Sequence, residues 1–378
     1  MPLVLRHDKG CRRRSRYDPT VAFLVAIVAV ASLSGCATHV HTPYAPGAAP
    51  AMFHPIAAES TDFDYLDHGY PLGTLDVLEG ESGDYWMRSL QMPSSGAARH
   101  GRPPLTARYD QGKAAGAKPL VIVLPVWGVS AYPSTTIAAS LRQEGEGAIN
   151  VLQVAGPEML FDWAALGAAR SEAEFHRLLA GMVERFIDMV TDVRRLVDWA
   201  ATRPEVDPER IALVGFSMSA IVGSIVLANE PRIAAGVLMV GGADLHEILA
   251  ACNGRIRGTR QRLLKRFGWS IEDFKEELRA PLAPINPVRF AGRVAPERLL
   301  VIEAAADTCI PASSRKRFWQ ALGRPERISY QYDHRTTFLA MTFLGGYDVQ
   351  RQIHRFFDRT LAPRLVRYEA AQVDSNGR

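Results

Sequence analysis

The sequence predicts an α/β fold in which a mostly parallel central sheet is covered by helices on both faces. Three observations carry this. Short, largely apolar runs at 120–124, 148–154, 211–214, 233–240, 299–303 and 328–332 have the character of buried strands. Helical stretches lie between them. In one, Val183, Phe186, Ile187, Val190, Val193, Val197 and Ala200 recur at three- and four-residue steps and form a single apolar stripe. Strand and helix alternate, the order from which crossover-connected parallel sheets are built.

The chain opens on an address. Residues 1–35 hold six basic and two acidic side chains, which accounts for the whole formal net charge of +4, so the remainder is balanced. Five of the six basic residues fall between Lys9 and Arg16, ahead of the apolar run 21–30. A basic segment followed by an apolar run too short for the roughly twenty residues of a membrane span reads as an export signal. Arg12, Arg13 and Arg14 add a faint twin-arginine signal. The run ends in Leu33-Ser34-Gly35-Cys36, which resembles a bacterial lipobox. That likeness implies acylation of Cys36, cleavage before it and a lipid anchor on the mature chain. Ala37 resembles the residue that permits outer-membrane sorting, so the expected location is the bacterial cell envelope, outer membrane or periplasm-facing.

Residues 36–60 contain Pro43, Pro46, Pro50 and Pro55 among Ala and Gly, the composition of an extended tether. His39, His41 and His54 lie in it without the spacing of a metal site. The body, 61–378, is average in composition, with 47% hydrophobic and 22% charged residues over the whole chain. Those values exclude a disordered chain, a collagen-like repeat and a long coiled coil. No run of eighteen apolar residues occurs, which excludes a polytopic membrane protein. A balanced body calls for no nucleic acid. Beyond Cys11 and Cys36, only Cys252 and Cys309 remain. An exported chain permits a bridge between them, but two cysteines do not establish one.

Within the body, 85–92 and 105–109 read as two early antiparallel strands around a Gly/Ser/Pro-bearing turn. The helix with the apolar stripe stops before Pro204, and a turn containing Pro208 feeds the strand at 211–214. Residues 219–228 are apolar or small on all sides, as expected of a helix buried within the fold. A closing helix is expected over 348–361. One segment breaks the rhythm. Residues 245–290 are helical and charged, with Arg255, Arg257, Arg260, Arg262, Lys265 and Arg266 before Glu272, Asp273, Glu276 and Glu277. This placement between two strands fits a helical cap over a site; the alternative is a solvated excursion with paired charges.

The segment Val214-Gly215-Phe216-Ser217-Met218-Ser219 places a serine at the junction of a buried strand and an apolar helix. A nucleophile in such a tight turn needs small residues two before and two after it. Gly215 meets this, and Ser219 stands where glycine is usual. A serine hydroxyl is a poor nucleophile without a base and a third group that orients the base. Of the ten histidines, His334 alone follows a late strand in a loop able to present it above the sheet. His7, His39, His41 and His54 precede the body, His68 and His100 precede the sheet core, His176 and His354 sit on helices, and His246 opens the cap. The orienting acid is expected at the end of the preceding strand, where Asp307 stands. Asp244, after the strand at 233–240, is the alternative acid. Asp333, next to His334 in the chain, is badly placed to orient it.

The order Ser217, Asp307, His334 resembles the triad of the α/β-hydrolase superfamily, and the likeness covers about 84–361. It implies an α/β-hydrolase fold and backbone donors for a developing oxyanion. One donor is the amide of Met218. Pro125-Val126-Trp127-Gly128 resembles the corresponding loop of dienelactone-hydrolase-like enzymes, with Pro125 where those have Glu. That likeness points to the Val126 amide, with Trp127 next, since Pro125 has no N–H. The resemblance implies a serine hydrolase cleaving carboxylic esters through an acyl-enzyme. It would act on a small-molecule or lipid-like acyl substrate, with neither metal nor cofactor. Thioesters, peptides and lactones are open to the same machinery, and a non-catalytic envelope binding module is open to the same fold.

Overall fold

In a computed structural model, residues 39–47, 63, 71–126, 132–156, 160–339 and 348–362 are described. Cys36, the expected export signal at 1–35 and Trp127 lie outside the described residues. Among the described residues, ten strands form one sheet: β1 (His39–Thr42), β2 (Leu75–Ser82), β3 (Tyr85–Met92), β4 (Leu105–Gly112), β5 (Lys118–Val123), β6 (Asn150–Val154), β7 (Val206–Phe216), β8 (Ile233–Met239), β9 (Leu299–Ala304) and β10 (Glu326–Tyr330). Their order is β1-β10-β9-β8-β7-β5-β6-β4-β3-β2. The block from β10 to β6 is parallel, and β4, β3, β2 at one edge and β1 at the other run antiparallel to their neighbours.

The parallel block consists of the apolar runs. Leu120, Ile122, Leu213, Val214, Val237, Leu238, Leu300 and Ile302 are fully buried, as required when helices cover both faces. After a four-residue helical turn at Ala97–His100, the longer helices among the described residues are α1 (Tyr132–Gly145), α2 (Trp163–Ala168), α3 (Glu172–Ala201), α4 (Met218–Asn229), α5 (Leu245–Ala251), α6 (Ile256–Phe267), α7 (Ile271–Leu282), α8 (Ala312–Ala321), α9 (His334–Leu339) and α10 (Asp348–Thr360). The apolar stripe belongs to α3, which Ser171 caps by accepting the Glu174 amide at 3.2 Å. The all-round apolar stretch is α4, buried from Ser219 to Leu227. It lies close on the sheet, and a Cβ at Gly223 would stand 2.7 Å from Leu213 Cδ2.

Two expectations need correction, and one strand carries no sequence signal. The stretch read as tether already contributes to the sheet, because His39–Thr42 pairs with Arg327–Tyr330 as an edge strand. Strand β2 carries Asp, Glu and Gly in a mostly exposed ribbon, so no apolar run marks it. Strand β7 begins at Val206 and includes Pro208. The proline is tolerated because pairing with β5 skips from Val206 to Ile211.

The segment 245–290 holds α5, α6, α7 and two short 3₁₀ turns. Helix α6 is joined to α2 by the Thr259 hydroxyl donating to the Trp163 carbonyl at 2.7 Å. Trp269, between α6 and α7, packs edge-on against Phe175 of α3 with ring centroids 5.3 Å apart. Among the described residues, no helix is long and apolar enough to cross a membrane.

Candidate active site

In the parallel block, the chain leaves β5 to β6 on one side and returns to β7 on the other. Such a reversal of strand order opens a crevice at the carboxyl ends of the strands. Ser217 follows β7 at that crevice. Its backbone lies at φ 52°, ψ −114°, a region that residues with a side chain rarely occupy and that costs about 1–3 kcal/mol. The turn is held by the Ser217 amide donating to the Met239 carbonyl of β8 at 2.8 Å. It needs Gly215, where a Cβ would stand 2.3 Å from the Ser219 carbonyl oxygen and 3.0 Å from Ala220 Cα.

His334 opens α9. Asp333 accepts the Thr336 amide on its side chain at 2.7 Å and the Thr337 amide on its carbonyl at 3.0 Å. Asp333 therefore caps the helix that starts with His334 rather than orienting the imidazole. Beyond β9 and β10 the two exits stay paired. The Ala305 amide donates to the Tyr330 carbonyl at 2.7 Å and the Ala306 amide to the Tyr332 carbonyl at 3.0 Å. Those bonds carry Asp307 alongside His334.

The three side chains form one relay. Ser217 Oγ lies 3.0 Å from His334 Nε2, and His334 Nδ1 lies 2.7 Å from Asp307 Oδ2. The Asp307 side chain has no exposed surface, and its other oxygen, Oδ1, accepts the amides of Cys309 at 2.7 Å and Ile310 at 2.9 Å. A buried carboxylate with both oxygens engaged holds a fixed orientation. The alternative acid, Asp244, is occupied elsewhere. Arg317 Nε lies 2.5 Å from its Oδ2, and Asn286 Nδ2 donates to its Oδ1 at 2.9 Å. His246, two residues on, is buried, which holds its pKa below the usual imidazole value.

Val126 and Met218 stand at the carboxyl ends of adjacent strands. The Leu124 amide donates to the Val214 carbonyl at 2.9 Å, carrying the β5–β7 pairing to within two residues of Val126. Met218 is the first residue of α4, where backbone N–H groups and the positive end of the helix dipole face the crevice. Among the described residues, no group of three or more His, Cys, Asp or Glu side chains is placed to hold a metal ion.

Two features of the site are not legible as motifs. Arg315 of α8 donates to the carbonyls of Ala305 at 3.0 Å, Asp307 at 3.3 Å and Ile310 at 2.6 Å, gripping the acid loop from behind. Its only sequence signal is a basic residue in the first turn of the helix after that loop. Cys252 and Cys309 form a disulfide, joining the acid loop to the segment after α5.

No protein-family model matches the chain. Two uncharacterized proteins of Mycobacterium tuberculosis, from strains CDC 1551 / Oshkosh and ATCC 25618 / H37Rv, are each 27% identical over 190 residues. The match spans 48% of this chain and 41% of each relative, so the chain spans well under half the length of those proteins. Among solved structures, acetyl xylan esterase 1 from Thermoanaerobacterium sp. JW/SL YS485 superposes with a TM-score of 0.52 at 16% identity, covering 73% of this chain and 88% of its own. An acetyl xylan esterase from Paenibacillus sp. R4 has the same TM-score, 0.52, at 13% identity, covering 90% and 94%. The parallel sheet, its helices on both sides and these neighbours together identify the architecture as the α/β-hydrolase fold.

Proposed function

We propose that the protein is a serine hydrolase that cleaves carboxylic esters through an acyl-enzyme and is tethered to the bacterial cell envelope through Cys36. The observation that carries the catalytic reading is the Ser217–His334–Asp307 relay, with links of 3.0 and 2.7 Å. In the proposed mechanism Ser217 Oγ attacks the acyl carbonyl while His334 Nε2 takes its proton. His334 then returns that proton to the leaving alcohol, and in the second half-reaction it activates water in the same way. Asp307 keeps the Nδ1–H tautomer in place, and the amides of Met218 and Val126, or Trp127, receive the oxyanion. Each such donor contributes about 2.7–4 kcal/mol to the transition state.

Acetyl xylan esterases use the same fold, which makes an ester carbonyl the first substrate class to test. In the purified full chain, Ser217→Ala is expected to abolish turnover of a short p-nitrophenyl ester, and a fluorophosphonate is expected to label Ser217. Retained turnover would place the chemistry elsewhere, and a folded protein that resists labelling would point to a binding module. Parallel assays with thioester, aminoacyl and lactone substrates rank the acyl classes. For the envelope reading, Cys36→Ala is expected to release the protein from membranes; unchanged pelleting overturns it.

A further inference from the structure

The acid loop is pinned from two directions. On one side Arg315 of α8 holds three of its carbonyls. On the other, Cys309 is bonded to Cys252, the residue that caps the carboxyl end of α5. That far end is itself fixed, because Arg260 of α6 donates to the carbonyls of both Leu249 and Cys252 at 2.8 Å, and Cys252 is only 6% exposed. The bridge therefore joins two segments, each gripped by a guanidinium, across 57 residues of chain.

Cys309 is also the residue whose amide makes the shorter of the two bonds to Asp307 Oδ1, 2.7 Å against 2.9 Å. Those amides fix the plane of the carboxylate, and so the direction in which Oδ2 meets His334 Nδ1. We infer that the Cys252–Cys309 disulfide is a positioning element for Asp307, so that turnover on the Ser217–His334–Asp307 relay depends on the bridge being oxidised. This rests on the catalytic reading above. Opening the bridge is a two-electron step. A dithiol gives up two electrons and two protons and closes to its own disulfide, the Cys252–Cys309 S–S bond breaks, and each cysteine sulfur gains one proton. Freed from α5, the Cys309 amide relaxes away from Oδ1, and the carboxylate gains rotational freedom.

The test uses the full chain. Wild-type protein is incubated with dithiothreitol until two further thiols per chain can be titrated, with folding followed by near-ultraviolet circular dichroism. We expect kcat on a p-nitrophenyl ester to fall about tenfold, a loss in keeping with a sub-ångström misplacement. KM should stay within about twofold and activity should return on reoxidation. The variant Cys252→Ala/Cys309→Ala, which keeps the residue-309 amide, is expected to show the lowered kcat without reductant and to ignore dithiothreitol. In an Asp307→Asn background, removing the bridge should alter fluorophosphonate labelling of Ser217 by less than about twofold, because two changes acting through one group do not add.

An undiminished effect in the Asp307→Asn background overturns the inference, as does unchanged kcat once both thiols are free. Loss of the folded signal in step with activity also overturns it, since the bridge then acts on stability alone. Should the double variant not fold, reversible reduction of the wild type decides. An inactive Ser217→Ala with a reductant-indifferent wild type defeats only the bridge. A turnover-competent Ser217→Ala defeats the catalytic reading itself.

Discussion

Ser219 Oγ accepts the Phe216 amide at 2.6 Å and donates to the Phe216 carbonyl at 3.0 Å. The side chain that departs from the usual glycine thus ties the two sides of the turn around Ser217, and it does so while fully buried. Ser219→Ala leaves a buried N–H without that acceptor, which costs about 1–3 kcal/mol. The expected outcome is a lower urea midpoint with an unchanged m-value. A variant as stable as the parent would show that the hydroxyl is dispensable to the turn.

Gly215 faces the same turn from the strand side. A Cβ there meets the Ser219 carbonyl carbon at 2.7 Å as well as its oxygen, and both are backbone atoms that no rotamer change can move aside. Gly215→Ala must therefore open the turn and displace Ser217 from His334. A displacement of about 1 Å in a catalytic group costs on the order of 10²-fold, and kcat on a short ester should fall by at least about that much. A near-normal kcat would mean that the turn has slack.

The parts of this site that could be read in the sequence are those whose signals are local. The end of strand β7, from Ile211 to Phe216, is apolar and buried, and helix α4 is apolar or small over most of its length, so the serine at 217 falls at a legible junction between them. Asp307 and His334 each follow a strand recognisable by its own apolar run, and the sheet brings them within bonding distance of one another. Edge strands gave no such signal. In β1 and β2 most side chains are exposed or half-exposed, and the pairing is made by backbone groups that every residue possesses. The bridge and the Arg315 grip were illegible for a different reason. Both depend on which distant loop lies opposite, and neither a count of two cysteines nor an arginine in a helix carries that information.

Asp307 and Asp244 make opposite predictions. Asp307 Oδ2 alone of the two candidate acids bonds His334, whereas Asp244 is held by Arg317 and Asn286. Asp307→Asn offers an amide where the imidazole needs an acceptor, and in a relay of this type the wrong tautomer lowers kcat by about 10⁴-fold. Asp244→Asn is expected to leave kcat within about threefold, since it touches no group of the relay. Its cost should appear in stability, through the pairing with Arg317. A reversed ranking of the two variants in kcat would reassign the acid.

His354, on α10, ties that helix to α1, with its Nε2 2.9 Å from Ser140 Oγ. Burial holds its pKa below the usual value, with Glu144 and Asp358 pulling part of the way back. In the unfolded chain the imidazole takes up its proton near pH 6.5, whereas the folded protein resists until a lower pH. Between those two values the unfolded state binds more protons. The stability contributed by the neutral ring is therefore complete above about pH 6.5 and is lost as pH falls through the folded value. We expect the thermal midpoint to hold steady above neutrality and to decline on acidification. His354→Gln, which retains a side-chain amide for Ser140, should decline less over the same interval. His246 is also depressed by burial, so His246→Gln provides an independent second measurement. Equal acid slopes in the parent and the His354→Gln variant would assign the acid sensitivity of the fold to other groups.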